Sequence, residues 1–126
     1  MTTAKFSGVR YKIEITAGNH TFYADEPEEK GGADSAPNPM ALLEASLASC
    51  TVITLGMYVE RKGWKFGEIS ISVDAVREDG KTTFKKEITI EGEITDAQKQ
   101  RLLQIADACP VSKVLEGKIE IESSIV

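Results

Sequence analysis

The chain has 126 residues, 41% of them hydrophobic and 28% charged, which is the composition of one folded domain rather than of a disordered segment. Its 15 basic and 20 acidic side chains give a formal net charge of −5 without a basic run, which argues against a nucleic acid or an anionic membrane as a partner. No apolar segment approaches the roughly 20 residues of a bilayer span, and residues 1–10 lack the apolar centre of a signal peptide, so we expect a single cytoplasmic domain over residues 1–126.

A hairpin and a loop are predicted in the first 37 residues. Apolar and polar residues alternate from Val9 to Thr16, which is typical of a half-buried strand. Gly18-Asn19 is a turn signal, so residues 21–25 are predicted to be the returning strand. The segment 26–37 is rich in glycine, proline and acidic residues, which predicts a loop, and its acidic spacing matches no calcium-binding loop.

A long helix is predicted between Asn38 and Gly63. Asn38 can cap it, Pro39 suits its first position, and Gly63 suits its end. Between Met40 and Val59 the only charged residue is Glu44, so the helix is apolar on most sides. Such a helix is buried on most sides, and one small domain can hardly cover it. We therefore expect a partner subunit to cover part of it.

The rest of the chain predicts a second hairpin, a second helix and a last strand. Alternating apolar residues flank the turn signal Asp79-Gly80. Thr95 caps a helix over residues 96–108, which Cys109-Pro110 ends or bends. Alternating isoleucines indicate a last strand over residues 119–125. Hairpins separated by helices predict an α+β fold with antiparallel sheets.

The two cysteines, Cys50 and Cys109, are the candidates for chemistry. A structural disulfide is not expected in a reducing compartment, and a zinc site needs about four ligands whereas His20 is the only histidine. Cys50 lies mid-helix, far from the termini at which a helix dipole stabilises a thiolate, so a nucleophilic role requires a cation from elsewhere. Cys109 lies at a helix end, and Lys113 one turn further on can stabilise a thiolate. From the residues alone, reactive thiols and thiols that only pack stay equally open.

Two segments carry a family resemblance. The stretch DEPEEKGGADSAPNPMALLEASLASCTVITLGMYVERKGW, followed by RLLQIADACPVSK, resembles the OsmC/Ohr family, and the resemblance runs from Asp25 to the C-terminus. Its most specific parts are Gly-Gly-x-Asp before a helix that starts with proline, the helix cysteine, Tyr58 followed by Arg-Lys-Gly-Trp, and Cys109-Pro-Val.

The resemblance implies a fold and an activity. Proteins of this family are intertwined homodimers with two central helices, outer antiparallel sheets and active sites at the interface. Family peroxidases reduce organic hydroperoxides with a cysteine pair. By position, Cys50 matches the peroxidatic cysteine, which becomes a sulfenic acid, and Cys109 matches the resolving cysteine, which forms a disulfide that an external dithiol reduces. No cofactor or metal is expected.

The chain departs from the family pattern around the supporting residues. In the peroxidases an arginine from the N-terminal hairpin and a glutamate directly after the Asn-Pro of the helix start support the cysteine. Here Met40 follows Asn-Pro, and Glu44 lies six residues before Cys50, about 120° away around the helix. His20 stands in the hairpin turn where the arginine is expected, and Arg10 falls on the polar face of the first predicted strand. Arg10, His20 and Glu44 are therefore possible supporting residues, and the sequence identifies no activating cation.

Three interpretations follow from the sequence. The first is a thiol-dependent organic hydroperoxide reductase that uses Cys50 and Cys109 in oxidative stress defence. The second is a dimeric, non-catalytic binding module whose apolar interface holds a small hydrophobic ligand. The third is that both thiols only pack.

Overall fold

The structure is a computed structural model that describes all residues, Met1–Val126. It has five strands in two antiparallel sheets and three α-helices, so the predicted α+β class is confirmed. The chain contains two compact units, residues 1–44 and 45–126, which are described separately below. The prediction of one domain over the whole chain stays a prediction.

A three-stranded sheet forms the start of the first unit. Strands β1 (Thr2–Phe6), β2 (Ile13–Ala17) and β3 (His20–Ala24) lie in the order β1-β2-β3, all antiparallel. The sequence did not predict β1, and the predicted strand beginning at Val9 is wrong before residue 13. Residues 9–12 form a turn in which the Lys12 N–H donates to the Val9 carbonyl at 3.1 Å and Tyr11 has a φ of 58°. Arg10 therefore lies in a turn and not in a strand.

The loop after β3 is organised around a buried carboxylate. Asp25 is 1% exposed, and its Oδ2 accepts hydrogen bonds from the Ser35 hydroxyl at 2.7 Å and from the N–H groups of Ser35 and Ala33 at 3.1 and 3.3 Å. Its Oδ1 accepts from the Glu26 N–H at 2.8 Å. These bonds favour the ionised form and lower the pKa of Asp25 to about 2. The predicted loop is thus held together by one acidic side chain.

Helix α1 (Pro39–Lys62) has the predicted ends. The Asn38 side chain accepts from the Ala41 N–H at 2.8 Å, which caps its start, and Gly63 ends it with a φ of 71°, the left-handed conformation that glycine adopts without strain. Within residues 45–126 its buried face follows the helical repeat and consists of Leu47, Thr51, Leu55, Tyr58 and Val59.

The prediction that no apolar segment has the length of a bilayer span is wrong for α1. This helix has 24 residues, and its most apolar 18-residue stretch has a mean hydropathy of 1.6, so by length and composition it meets the criteria for a span. Serine, threonine and one glutamate interrupt the apolar residues of α1. They do not lower its mean hydropathy below the range of a bilayer span. The core helix of a protein that never enters a membrane satisfies the same criteria, so one such helix does not by itself indicate a membrane protein.

The second unit packs a hairpin against helices. Strands β4 (Ile69–Glu78) and β5 (Lys81–Ile90) pair antiparallel, from Ile69 opposite Ile90 to Glu78 opposite Lys81. The predicted turn at Asp79 and Gly80 is present, with positive φ values of 52° and 73° as a two-residue hairpin turn requires.

Two further helices follow the hairpin. Helix α2 (Asp96–Asp107) begins with the predicted Thr95 cap, completed by Gln98, and helix α3 (Pro110–Glu116) starts two residues after Ala108. The core of the unit is formed by buried residues of α1 and α2 together with the inward side chains of the hairpin; its buried members are Leu55, Tyr58, Val59, Leu102 and Ala106.

The last predicted strand is absent. Residues 118–126 are exposed and pair with no strand of the chain. Alternating isoleucines give a segment the side-chain pattern of a strand, but a strand also needs a neighbouring strand with which to exchange hydrogen bonds. Both sheets have edge strands, but none of these strands pairs with residues 118–126.

Candidate dithiol site

Three elements of the second unit bring polar groups to one buried point. Helix α1 contributes Thr51, whose side chain faces the core, and β5 contributes Lys86, on the same inward face as Ile88. The α2–α3 junction contributes Cys109 and Ser112. Pro110 disfavours a helical conformation at the residue before it, so Cys109 is extended, with φ −64° and ψ 147°, and forms the N-cap of α3.

Cys109 is fully buried and has polar neighbours on both sides. It is 0% exposed, and its Sγ lies 3.1 Å from Ser112 Oγ and 3.3 Å from Thr51 Oγ1. A buried structural cysteine normally contacts apolar groups, so these hydroxyls distinguish Cys109 from a thiol that only packs.

Lys86 is the cation of the site. Its side chain is 13% exposed, and its Nζ donates to the Ala106 carbonyl at 2.8 Å, to Ser112 Oγ at 3.0 Å and to Thr51 Oγ1 at 3.5 Å. The last two acceptors are the hydroxyls that contact Cys109. The ammonium and the sulfur are therefore linked through Ser112 and Thr51.

The direction of these hydrogen bonds depends on the proton of the thiol. Because Lys86 donates to Ser112 Oγ, the hydroxyl proton of Ser112 is free to point at a Cys109 thiolate. Thr51 has one hydroxyl proton, and the Leu47 carbonyl at 2.8 Å competes for it. Ser112 is therefore the better donor to the sulfur, and Thr51 is the better acceptor while the sulfur still carries its proton.

These contacts shift the pKa of Cys109. Burial raises the pKa of the thiol, but hydrogen bonds from the Ser112 and Thr51 hydroxyls, the Ser112 backbone and Cys50 lower it, with a net result of about 7 against a usual value of 9.0. The contacts of Cys109 therefore favour its thiolate form, whereas the sequence alone left a reactive thiol and a thiol that only packs equally open.

Cys50 lies where a ligand can reach it. It is partly exposed and lines an open groove of about 460 Å³ with an apolar wall. The groove is lined by Ser46, Ser49, Cys50, Ile53, Thr54, Met57, Pro110 and Val111. One thiol thus lies at an apolar groove and the other is buried behind it.

The other predicted supporting residues lie elsewhere in the chain. Arg10 is exposed, with its guanidinium 4.8 Å from the Tyr11 ring, and His20 is exposed at the start of β3. Both belong to the first unit, as does Glu44, and their supporting role stays a prediction. Lys113 is exposed on α3, and its backbone N–H donates to the Cys109 carbonyl at 3.1 Å. The lysine whose side chain contacts the hydroxyls around Cys109 is Lys86.

Sequence reasoning missed Lys86, although a signal was present. In KTTFKKEITI the inward positions of β5 are those of Phe84, Lys86, Ile88 and Ile90, so the strand period places one lysine among apolar residues. A charged residue at an inward position requires a partner, and that requirement could have directed attention to it.

The fold, together with one partly exposed and one buried cysteine, defines a small α+β protein with two free thiols. A sequence model described as OsmC-like protein matches residues 31–124, and the chain belongs to the OsmC-like family. No protein with a curated description matches the chain significantly.

Solved structures of similar fold agree with this assignment. An organic hydroperoxide resistance protein from Elizabethkingia anophelis is 26% identical, with 94% of this chain and 89% of that chain covered and a TM-score of 0.68. An OsmC-like protein from Mycoplasma pneumoniae is 17% identical, with coverages of 93% and 86% and a TM-score of 0.76. The organic hydroperoxide resistance protein OsmC from Legionella pneumophila is 22% identical, with coverages of 93% and 88% and a TM-score of 0.62. These three proteins share the fold of this chain.

Proposed function

We propose that the protein is a thiol-dependent organic hydroperoxide reductase, with Cys50 as the peroxidatic and Cys109 as the resolving cysteine. The observation that carries this proposal is the pairing of a groove-lining thiol with a buried thiol whose pKa is lowered to about 7. A thiolate beside a second thiol is the arrangement that two-step peroxide reduction requires.

The first step includes a proton transfer within the cysteine pair. Cys50 donates its proton to the Cys109 thiolate, and the Cys50 thiolate attacks the peroxide oxygen. The S–O bond forms, the O–O bond breaks, and the alkoxide takes the proton from Cys109 and leaves as an alcohol. The peroxide is thereby reduced by two electrons, and Cys50 is oxidised to a sulfenic acid.

The second step closes the disulfide. The regenerated Cys109 thiolate attacks the sulfur of the Cys50 sulfenic acid, forms the S–S bond and expels hydroxide. An external dithiol then reduces the disulfide by exchange and is itself oxidised. A reducing compartment such as the cytoplasm keeps that dithiol reduced, which agrees with the location expected from the sequence.

The exposure of the two cysteines supports their proposed roles and the proposed substrate class. Cys109 is fully buried, so a peroxide arriving through the groove meets Cys50 first. The groove wall includes Ile53, Met57 and Val111, which favour an organic hydroperoxide over hydrogen peroxide.

The test is peroxide consumption by the reduced protein and its two cysteine variants. We expect one equivalent of cumene hydroperoxide to oxidise both thiols to a Cys50–Cys109 disulfide, visible by mass spectrometry, and to do so faster than hydrogen peroxide. Cys109→Ser should stop at a sulfenic acid on Cys50 that dimedone traps, and Cys50→Ser should consume no peroxide. Two thiols that persist for hours in the wild-type protein would overturn the proposal.

We also propose that the protein is a homodimer in which a second copy covers α1. Only 17% of the most apolar stretch of α1 is buried within the chain, and Ile53 and Met57 are 56% and 66% exposed. Exposed apolar side chains contiguous on one helix face are typical of an interface. Light scattering should give twice the mass of the chain, and Ile53→Glu should halve it, whereas Leu103→Glu on α2 should not.

A second candidate function is the binding of a small apolar ligand without catalysis. The groove beside Cys50 favours it, because its volume suits a small organic molecule. This function predicts that an apolar fluorescent probe binds equally well to the wild-type protein and to a Cys50→Ser, Cys109→Ser double variant, and that cumene hydroperoxide leaves both wild-type thiols reduced.

A further inference from the structure

We propose that Lys86 is a positioning residue that keeps Cys109 as a thiolate through the hydroxyls of Ser112 and Thr51. The inference rests on the proposed function for its catalytic meaning, although the geometry itself is independent of it. The ammonium contacts both hydroxyls that contact the sulfur. Ser112 can accept from the nitrogen and donate to the sulfur, whereas the Leu47 carbonyl competes for the Thr51 proton.

The environment of Lys86 explains why its charge acts on the sulfur. Its 13% exposure limits screening by water, and the Ala106 carbonyl at 2.8 Å fixes its Nζ toward the α2–α3 junction. The inward face of β5 otherwise consists of apolar side chains, among which a charged lysine without anionic compensation is costly. A thiolate at Cys109 supplies negative charge next to the lysine within the unit.

The charged and titratable groups that face this point come from each packed element. Helix α1 contributes Cys50, β5 contributes Lys86, and the end of α2 contributes Asp107, whose carboxylate lies 3.9 Å from Lys86 Nζ. Asp107 is 74% exposed, so water weakens its hold on the ammonium. Asp107 thus neutralises the Lys86 ammonium only in part, from the solvent side. On the buried side the ammonium stabilises the Cys109 thiolate.

This arrangement gives Lys86 a role in the second step of the proposed reaction. The stabilised Cys109 thiolate is the nucleophile that closes the disulfide. The charge comes from β5, on a different element from the hairpin turn and the helix start where the family pattern places its supporting arginine and glutamate.

The test is a pH titration of the Cys109 thiolate by its absorbance at 240 nm in full-length Cys50→Ser protein, which has one remaining thiol. We expect Lys86→Met in this background to raise the apparent pKa of Cys109 by about one unit, which lowers the thiolate fraction at pH 7 about fivefold. Lys86→Arg should restore most of the thiolate. Lys85→Met is the matched control, because Lys85 lies next in the strand on its exposed face.

The outcomes separate this inference from the proposed function. An apparent pKa in Lys86→Met equal to that in Lys85→Met would overturn the role of Lys86, whatever the peroxidase assay gives. If Lys86→Met does not fold, Lys86→Gln is titrated instead, and the same rise is expected and the same equality overturns the proposal. A wild-type protein that leaves cumene hydroperoxide unreduced would overturn the proposed function, while the titration still decides whether Lys86 holds the thiolate.

Discussion

Lys86 Nζ and Cys109 Sγ contact the same hydroxyl, Ser112 Oγ, at 3.0 and 3.1 Å. The three groups come from β5, the α2–α3 junction and the first turn of α3, so their meeting depends on the packing of the whole second unit. A hydroxyl between an ammonium and a sulfur accepts a hydrogen bond from the nitrogen while it donates one to the thiolate. The ammonium polarises the hydroxyl and so strengthens the hydrogen bond to the sulfur. Ser112 is therefore the group at which the site is most directly tested.

Ser112→Ala should raise the apparent pKa of Cys109 by about one unit in the Cys50→Ser background, because the thiolate loses its best-placed donor. The measurement is the thiolate absorbance at 240 nm against pH. Ser72→Ala, on the exposed face of β4, is the control and should leave the pKa unchanged. If the pKa of Cys109 is unchanged in Ser112→Ala, the Ser112 hydroxyl is not what lowers it.

Thr51→Val should have a smaller effect than Ser112→Ala, roughly half a unit in the same titration. The Thr51 proton is already drawn to the Leu47 carbonyl at 2.8 Å, and its contact with Lys86 is the longest, at 3.5 Å. Valine keeps the shape of threonine in this fully buried position, so the core is little disturbed. A larger rise for Thr51→Val than for Ser112→Ala would contradict the proton assignment given above.

The rate of disulfide closure should follow the ionisation of Cys109. With a pKa of about 7, the closure rate after a single addition of cumene hydroperoxide should fall about fivefold from pH 7 to pH 6 and rise no more than about twofold above pH 7. Rapid acid quenching followed by mass spectrometry measures the fraction of disulfide at each time. A closure rate that keeps rising tenfold per pH unit up to pH 8 would indicate that the pKa of Cys109 is not lowered.

The carboxylate of Asp25 should stabilise the first unit in a pH-dependent way. Its pKa is about 2 in the folded protein against 3.8 normally, so the unfolded chain takes up the proton first, and the stabilisation is complete above about pH 4 and is lost as the pH falls toward 2. Asp25→Asn should lower the Tm at pH 7, and the difference from the wild type should narrow between pH 4 and pH 2, measured by circular dichroism.

The matched control for Asp25 is Asp34→Asn in the same loop. Asp34 is exposed and has a φ of 51°, a conformation that asparagine tolerates. The Tm of the Asp34→Asn variant should therefore stay near that of the wild type at every pH. Equal losses in the two variants would show that loop charge in general, rather than the buried carboxylate, is responsible.

Local signals predicted much of the fold. The caps at Asn38 and Thr95 and the turn at Asp79 were correctly placed, because each depends on a few adjacent residues. The strand predicted over residues 9–12 was wrong, because alternation of apolar and polar residues alone does not show that the backbone turns at Tyr11. Alternation also gave a wrong prediction at the C-terminus, where residues 118–126 pair with no strand.

The candidate site was predicted only in part, and the reason lies in long-range packing. Both cysteines were singled out, but the choice of Lys113 as the neighbouring cation followed from sequence proximity. Lys86 is distant in sequence from both thiols, and only the packing of β5 under α1 and α2 brings its ammonium to the hydroxyls. A lysine at an inward strand position shows that a partner is needed, but not which group the partner is.

The separation of the two cysteines along the chain has a consequence for the lifetime of the protein. A bond between Cys50 and Cys109 would close a loop of about 60 residues that includes β4, β5 and α2, and restricting a loop of that length in the unfolded state corresponds to about 4 kcal/mol. The oxidised form would then unfold less often and resist proteolysis longer than the reduced form. A cell that leaves the disulfide in place would thereby keep a larger store of the protein for the period of oxidant exposure, and its reduction would return the chain to ordinary turnover.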